Sequence, residues 1–226
     1  MAASSGPGTR GTPRARLNRE LVVAAAIDLA DAGGVEAVSM RRLATHLGVD
    51  PMSLYRHVDG KEALLEAMID AVIARIDPVT DAGGWRTNAR ATMLAARATM
   101  SRHPWTAQLR KARLTPTPAE LRHLDALVGI LRDGGFDLEL VHHAIHALGS
   151  RILGFSQDLY DDSEQATPEE MSAQTQAFQA LGTPHLAELT AAVSGHDGLG
   201  GCDDDAEFVF ALDLTLEGLE RRRRPQ

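Results

Sequence analysis

One short predicted helix near the N-terminus carries hydrogen-bonding side chains on the face that points away from its core contacts. Leu54 and Val58 lie on the inward face, which leaves a set of neighbours nearer the surface: Pro51, Met52, Ser53, Tyr55, Arg56 and His57. Hydroxyl groups and a histidine ring N–H are groups that bind phosphates and the edges of nucleic-acid bases. A tyrosine and a histidine held outward together are unusual for an element with a structural role only.

The residues around this helix predict a helix-turn-helix. Ser39 is a good N-cap for a preceding short helix, and Gly48 supplies the left-handed residue that ends it. Asp50 then caps the second helix, which is expected to run to about Val58, and Pro51 occupies its first position, where a missing N–H costs nothing. Two short helices joined by a glycine-containing turn are typical of a DNA-binding motif. The alternative, a three-helix packing unit without a DNA role, accounts less well for the outward Tyr55.

The remaining sequence predicts an all-α protein. Apolar residues recur at spacings of three and four in a first helix that Asn18 caps and the pair Gly33 and Gly34 ends. A longer helix follows the motif as far as Pro78, and no strand is predicted. Further helices are expected at about Trp85 to Arg102, Trp105 to Arg110, Pro118 to Asp133, Leu138 to Tyr160, Glu169 to Leu181, Pro184 to Val193 and Asp204 to Arg222.

Three segments are expected along the chain: a flexible basic arm at residues 1–16, a three-helix helix-turn-helix domain at 17–62 and a larger helical domain at 63–226. The net charge of -8 is unevenly spread. Through Glu62 there are eight basic and seven acidic residues, a net +1, so the remainder carries -9. This asymmetry indicates a DNA-facing N-terminal part and an acidic body that does not touch DNA.

Several classes of protein are disfavoured by what the sequence contains. The start has no apolar signal region, and no uninterrupted apolar run reaches about 18 residues, so neither export nor membrane insertion is expected. The single Cys202 fits a reducing cytoplasm. Because nucleophile elbows, phosphate-binding loops and dinucleotide fingerprints are missing, we expect no enzyme and no cofactor.

Three histidines of one predicted helix, His142, His143 and His146, allow two interpretations. His142 and His146 are one turn apart, as two metal ligands would be, but no nearby cysteine or third ligand completes a site. Packing or the lining of a pocket is the favoured interpretation, and no metal site is predicted.

The stretch RLNRELVVAAAIDLADAGGVEAVSMRRLATHLGVDPMSLYRHVDGKEALLEAM resembles the TetR family of bacterial regulators, and most of all its tetracycline-repressor branch. The ending FVFALDLTLEGLERRR resembles the C-terminal dimerisation helix of that branch. The resemblance implies phosphate or base contacts at Arg41, Ser53, Tyr55, His57 and Lys61. It also implies a homodimeric repressor that a small molecule releases from a palindromic operator in double-stranded DNA. The alternative is a small-molecule binding protein of the same fold without specific DNA binding.

A dimer interface is expected where the last helix carries an apolar stripe that a soluble monomer would rarely leave uncovered. We expect this stripe to pair with apolar residues of the helix that begins near Leu138, in an intermolecular four-helix bundle. The interface residues predicted in this way are Ile145, Leu148, Ile152, Phe208, Leu212, Leu216 and Leu219.

The effector implied by the resemblance is not expected to be a tetracycline–magnesium chelate. The drug-contacting histidine, asparagine and phenylalanine of the tetracycline repressor align with Asp77, Thr92 and Ala96, so the polar groups that anchor the drug are missing. The central helices instead suit a largely apolar molecule held by one or two hydrogen bonds. The predicted pocket residues are Met93, Met100, Trp105, His146 and Phe155.

Overall fold

The computed structural model describes residues 16–81, 83–111, 115–154, 168–188 and 204–223. Within these ranges the regular elements are helices and no strand occurs, which confirms the all-α prediction. The chain divides into two compact units, Met1–Met68 and Ile69–Gln226. No helix among the described residues is long and apolar enough to cross a membrane.

The first unit contains three helices and the beginning of a fourth. Its elements are α1 (Arg19–Gly33), a single 3-10 turn (Val35–Ala37), α2 (Met40–Leu47), α3 (Pro51–Leu54) and the first half of α4 (Lys61–Ile73). Each of these helices contributes side chains that are fully buried: Val22, Ala26, Leu43, Leu54, Leu64 and Met68. α2 packs against both α1 and α3, and each of the two short helices contributes a leucine to this buried set.

The predicted caps of this unit are confirmed. The Asn18 side chain accepts a hydrogen bond from the Leu21 N–H at 2.8 Å, and the Ser39 hydroxyl accepts one from the Arg42 N–H at 3.2 Å. Gly34 follows α1 with φ at 72°, a left-handed value that favours glycine. The polar residues that flank the apolar runs therefore set where the helices begin and end.

The second unit is built from longer helices. They are α5 (Trp85–Arg102), α6 (Trp105–Lys111), α7 (Pro118–Asp133), α8 (Leu138–Gly154), α9 (Pro168–Ala180) and α10 (Asp204–Arg222), with residues 184–188 also helical. α5, α7, α8 and α10 share a core that includes Met93, Leu131, Phe136, Leu148 and Leu212. Three of the predicted helices match these bounds to the residue, whereas the predicted end of α8 at Tyr160 lies outside the described residues.

The apolar stripe of α10 is covered within the chain. Phe208, Leu212, Leu216 and Leu219 are between 0% and 6% exposed and belong to the same core as α5, α7 and α8. Leu148 is buried there as well, Ile145 packs against its edge, and the Ile152 side chain lies outside the described residues. This corrects the premise that the stripe would be exposed in a monomer. The helical spacing of apolar residues predicts that one face is buried. It does not tell whether the same chain or a second copy buries that face.

Polar contacts hold the middle and the C-terminal end of α10 in place. Two guanidinium nitrogens of Arg90, on α5, donate hydrogen bonds to the two carboxylate oxygens of Asp213, at 2.7 and 3.2 Å. The Trp85 indole N–H donates to Glu220 at 3.0 Å, and Arg223 donates to the Gly134 carbonyl at 2.9 Å. These contacts join α10 to α5 and to the turn after α7, so the buried stripe is fixed in register.

Candidate nucleic-acid interface and effector cavity

The turn between α2 and α3 has the geometry of a helix-turn-helix. Gly48 adopts φ 65° and ψ 37°, the left-handed conformation expected from the sequence. Its N–H donates to the Thr45 carbonyl at 3.2 Å, and the Val49 N–H donates to the Ala44 carbonyl at 3.0 Å. The chain therefore reverses within two residues and starts the next helix at once.

The start of α3 follows the prediction, but its end does not. Asp50 accepts a hydrogen bond from the Met52 N–H at 2.8 Å, and Pro51 is the first helical residue. The regular helix ends at Leu54, where we expected it to continue to about Val58. Residues 55–57 form turns instead, and the N–H groups of His57 and Val58 both donate to the Leu54 carbonyl, at 2.9 and 3.1 Å.

The predicted division of this segment into inward and outward side chains is confirmed. Leu54 and Val58 are buried, whereas Met52 is 70% and Tyr55 47% exposed. The other residues proposed to contact DNA are also accessible: Arg41, Pro51, Arg56 and Lys61 are exposed, and Ser53 and His57 are half-buried. The motif thus presents cationic, hydroxyl and imidazole groups on a surface that its own core does not need.

A cavity that is open to solvent on one side lies in the second unit, with about 510 Å³ of empty space when its open mouth is included. Most of its lining is apolar and comes from the end of α4 and from α5, α7 and α8: Ile73, Ile76, Ala96, Met100, Leu124 and Gly149. Three polar residues complete it, Arg110, Glu120 and His123.

Two of these polar residues neutralise each other. The Arg110 guanidinium lies 2.6 Å from one carboxylate oxygen of Glu120. The other oxygen of Glu120 accepts the Thr117 N–H at 2.6 Å, and Thr117 in turn caps the Glu120 N–H at 3.3 Å. Glu120 is therefore part of the capping box of α7, and the ion pair brings no net charge to the cavity.

His123 is different because its ring nitrogens are covered without being bonded. Nδ1 and Nε2 are both inaccessible to solvent, and among the described residues neither has a hydrogen-bond partner. Burial lowers the pKa of His123 below its ordinary value of 6.5, since the charged ring would lose its hydration. The imidazole is therefore neutral at pH 7, with one N–H donor and one nitrogen acceptor.

This depressed pKa predicts a pH dependence of stability. The unfolded chain takes up the proton near pH 6.5 and the folded chain only at lower pH, so the unfolded state binds more protons between the two values. The free energy of unfolding should fall as the pH drops below about 6.5. Above that pH, His123 should add no pH dependence to it. Denaturant unfolding at about pH 7.5 and about pH 5.5 should show a smaller fall for His123→Leu than for the wild type. If the free energy of unfolding falls equally in the two proteins, the lowered pKa does not belong to His123.

The residues predicted to bind the effector are not all brought together. Met100 lines the cavity, whereas Met93 is fully buried in the core of α5, α7, α8 and α10. Trp105 is 3% exposed and packs edge-on against His103, with ring centroids 6.0 Å apart. His146 is exposed on α8, and Phe155 lies outside the described residues.

Sequence reasoning missed Arg110, Glu120 and His123. Two features of the sequence pointed to Glu120 and His123, and none pointed to Arg110. Thr117 and Glu120 have the spacing of a capping box, which places Glu120 in the first turn of a helix. His123 precedes Leu124 and Leu127 on the apolar side of that helix, where a histidine is an unusual choice.

The three histidines of α8 form a chain of ring contacts at the surface. The His142 ring lies 5.5 Å from that of His143 and 4.7 Å from that of His146, between centroids. All three side chains are exposed. In the part of the chain that the structure describes, no group of three or more His, Cys, Asp or Glu side chains has the arrangement of a metal site.

The motif and the helical body together define a DNA-binding transcription regulator, and two family models match them. The model of bacterial regulatory proteins of the tetR family matches residues 22–68. The model of the tetracyclin repressor-like C-terminal domain matches residues 77–223. The chain therefore belongs to the tetR family, which confirms the resemblance found in its sequence.

Individual proteins are similar to it along most of their length. The HTH-type transcriptional repressor DrrR1 of Streptomyces coeruleorubidus is 34% identical over 218 residues, which cover 92% of this chain and 79% of that protein. The tetracycline repressor protein class D of Escherichia coli is 32% identical, with coverages of 91% and 90%. The structure of the TetR family protein ActR from Streptomyces coelicolor, in complex with (S)-DNPA, has a TM-score of 0.74 at 24% identity and covers 93% of this chain and 100% of ActR.

Proposed function

We propose that the protein is a homodimeric repressor that binds a palindromic operator in the cytoplasm and leaves it when a largely apolar small molecule enters each subunit. It would catalyse no reaction. The observation that carries the proposal is the capped α2–turn–α3 motif with Tyr55 half exposed beside a buried Leu54. The relatives named as transcriptional repressors support the same function.

The operator contacts proposed for the motif divide into two kinds. Arg41 and Lys61 offer cations, the first able to hold a guanine or a phosphate at two points and the second able to hold a phosphate. Ser53, Tyr55 and His57 offer shorter-range hydrogen bonds from the end of the motif. Because Met52 is 70% exposed at the first turn of α3, its side chain suits apolar contact with a thymine methyl group.

The dimer proposed here uses α8 and α10 but a different face of α10 from the one predicted. Phe210 and Leu214 are 63% and 54% exposed and lie one turn apart, so they share a face. Glu207 and Glu217 flank them along the helix and are exposed too. A second copy of the chain is the occupant that a palindromic operator requires, since each subunit then reads one half-site.

The cavity of the second unit is the proposed effector site. Solved structures hold (S)-DNPA or actinorhodin in ActR, and minocycline in a TetR from Acinetobacter baumannii. By analogy, a molecule bound among Ile76, Met100 and Leu124 would favour a dimer conformation that no longer matches the operator. The ligand can shift the equilibrium between the two conformations only by as much as its binding free energies for them differ.

Replacing Tyr55 tests the operator contact. Tyr55→Ala should weaken operator binding by about 1 kcal/mol or more, roughly fivefold, because a hydrogen bond and its packing are lost. Tyr55→Phe removes the hydroxyl alone and should lose a smaller part of the operator-binding free energy than Tyr55→Ala. Gel-shift titration measures both at one salt concentration.

Leu121→Ala is the matched control, since Leu121 is an exposed apolar residue of α7, outside the motif. It should leave operator affinity unchanged. A Tyr55→Ala protein that binds the operator as tightly as this control would refute the proposed docking. A protein that binds effector normally but shows no preference for any DNA would instead favour the alternative, a small-molecule binding protein of this fold.

A further inference from the structure

We propose that His123 is the polar anchor of the effector site, and that the effector is an uncharged, largely apolar molecule whose hydroxyl or carbonyl group hydrogen-bonds to the imidazole. The inference deepens the proposed function and rests on it. It names the chemistry of the molecule that the cavity accepts and the side chain that recognises it.

The unmet hydrogen-bonding capacity of His123 is the first argument. Buried polar groups in folded proteins are nearly always hydrogen-bonded, and leaving one without a partner is costly. His123 lines the cavity, yet neither ring nitrogen has a partner among the described residues. A ligand that supplies one removes this penalty, so it gains more from binding here than in a site whose polar groups are already paired.

Access to the ring is the second argument. His123 lines the cavity but neither of its ring nitrogens is accessible to solvent, so a ligand reaches them only once the ring turns or a neighbour moves. Met100, a neighbour in the lining, has a flexible unbranched side chain that can repack around a guest. Gly149 leaves open space on the α8 side, since a Cβ added there would meet no heavy atom within 4 Å.

The third argument concerns charge and excludes ionic ligands as the preferred class. The Arg110 guanidinium is already held by Glu120, and the second carboxylate oxygen of Glu120 caps α7 at Thr117. An anion would have to displace Glu120 from Arg110, and a cation would have to compete with Arg110 for the carboxylate. His123 offers no charge to attract an ion, because the lowered pKa of its imidazole keeps the ring neutral at pH 7. A neutral ligand disturbs none of these contacts.

Three probes of similar shape test the inference: para-phenylphenol, para-methylbiphenyl and the carboxylate para-phenylbenzoate. Titration calorimetry with the full-length protein gives the affinity ratio of the phenol to the methyl compound. This ratio isolates the hydroxyl contact, because the apolar body is common to both. Changing His123 to Leu should lower the ratio about tenfold, the value of one hydrogen bond. His123→Gln keeps a hydrogen-bonding group and should restore part of it.

A pair of glycine variants locates the binding. Gly149→Leu should fill the cavity and abolish binding of both neutral probes. Gly129→Leu is the matched control: Gly129 also has free space around it, lies in helix α7 and does not line the cavity, so both probes should bind as they do to the wild type. In the wild type, the carboxylate should bind more weakly than the phenol.

The inference is overturned if His123→Leu leaves the phenol-to-methyl ratio unchanged, if the carboxylate binds best, or if the wild type binds neither neutral probe. Gel shifts on the same protein samples separate this outcome from a failure of the proposed function. Sequence-specific operator binding together with any of these results would leave the repressor function in place and remove His123 as the anchor.

Discussion

The double substitution Phe210→Glu with Leu214→Glu is expected to turn the proposed dimer into monomers and to weaken operator binding about 100-fold or more. In the proposed dimer each subunit would hold one half-site, so the affinity would come from binding both half-sites at once. At the proposed interface, the two introduced glutamates of one copy would lie close to those of the other copy and repel them. Glu207 and Glu217, which flank this face of α10, would add to the repulsion. Sedimentation or light scattering gives the oligomeric state, and a gel shift gives the affinity.

Leu121→Glu is the control for this experiment. Leu121 is 53% exposed, comparable to Leu214, but lies on α7 and outside the proposed interface. It should remain dimeric and bind the operator normally. If the double variant of α10 stays dimeric at micromolar concentration, the face that carries Phe210 and Leu214 is not the interface.

Leu212→Ala is expected to lower the free energy of unfolding by about 2–5 kcal/mol, the cost of a large-to-small change in a packed core. Leu212 is fully buried among α5, α7 and α8 of its own chain. Leu121→Ala should cost no more than about 0.5 kcal/mol, as is usual at the surface. Denaturant unfolding at one fixed protein concentration measures both, because the stability of a dimer depends on concentration.

The same substitution distinguishes the two assignments of the α10 stripe. Introduced into the Phe210→Glu and Leu214→Glu background, which should be monomeric, Leu212→Ala should still destabilise the protein by the same amount if the stripe is covered within the chain. A destabilisation that disappears in the monomer would return Leu212 to the dimer interface, where the sequence alone had placed it.

The first unit was predictable because its determinants are local. Asn18, Ser39 and Asp50 cap helices through hydrogen bonds to residues two or three positions away, and Gly48 takes a backbone conformation that its own chemistry favours. The end of α3 was predicted four residues late. Apolar spacing continues from Leu54 to Val58, and it does not distinguish a regular helix from successive turns bonded to one carbonyl.

The effector cavity was harder to predict because its residues meet only through the packing of several helices. Met93 and Met100 have the same type and lie one heptad apart on α5, yet one is in the core and the other lines the cavity. Arg110 and Glu120 are paired across the junction between α6 and α7. Periodicity gives the buried face of each helix, whereas a cavity is set by what the facing helices leave unfilled.

The measurement that tests the central claim most directly is a gel-shift titration of the full-length protein on the intergenic DNA beside its own gene, with an unrelated fragment of equal length at the same salt concentration. We predict binding at least about 10³-fold tighter to the intergenic fragment, as is typical of specific protein–DNA complexes. Footprinting should show a palindrome with half-site centres about 34 Å apart or a multiple of that distance. Equal affinity for the two fragments would contradict a role as an operator-binding repressor of its own region.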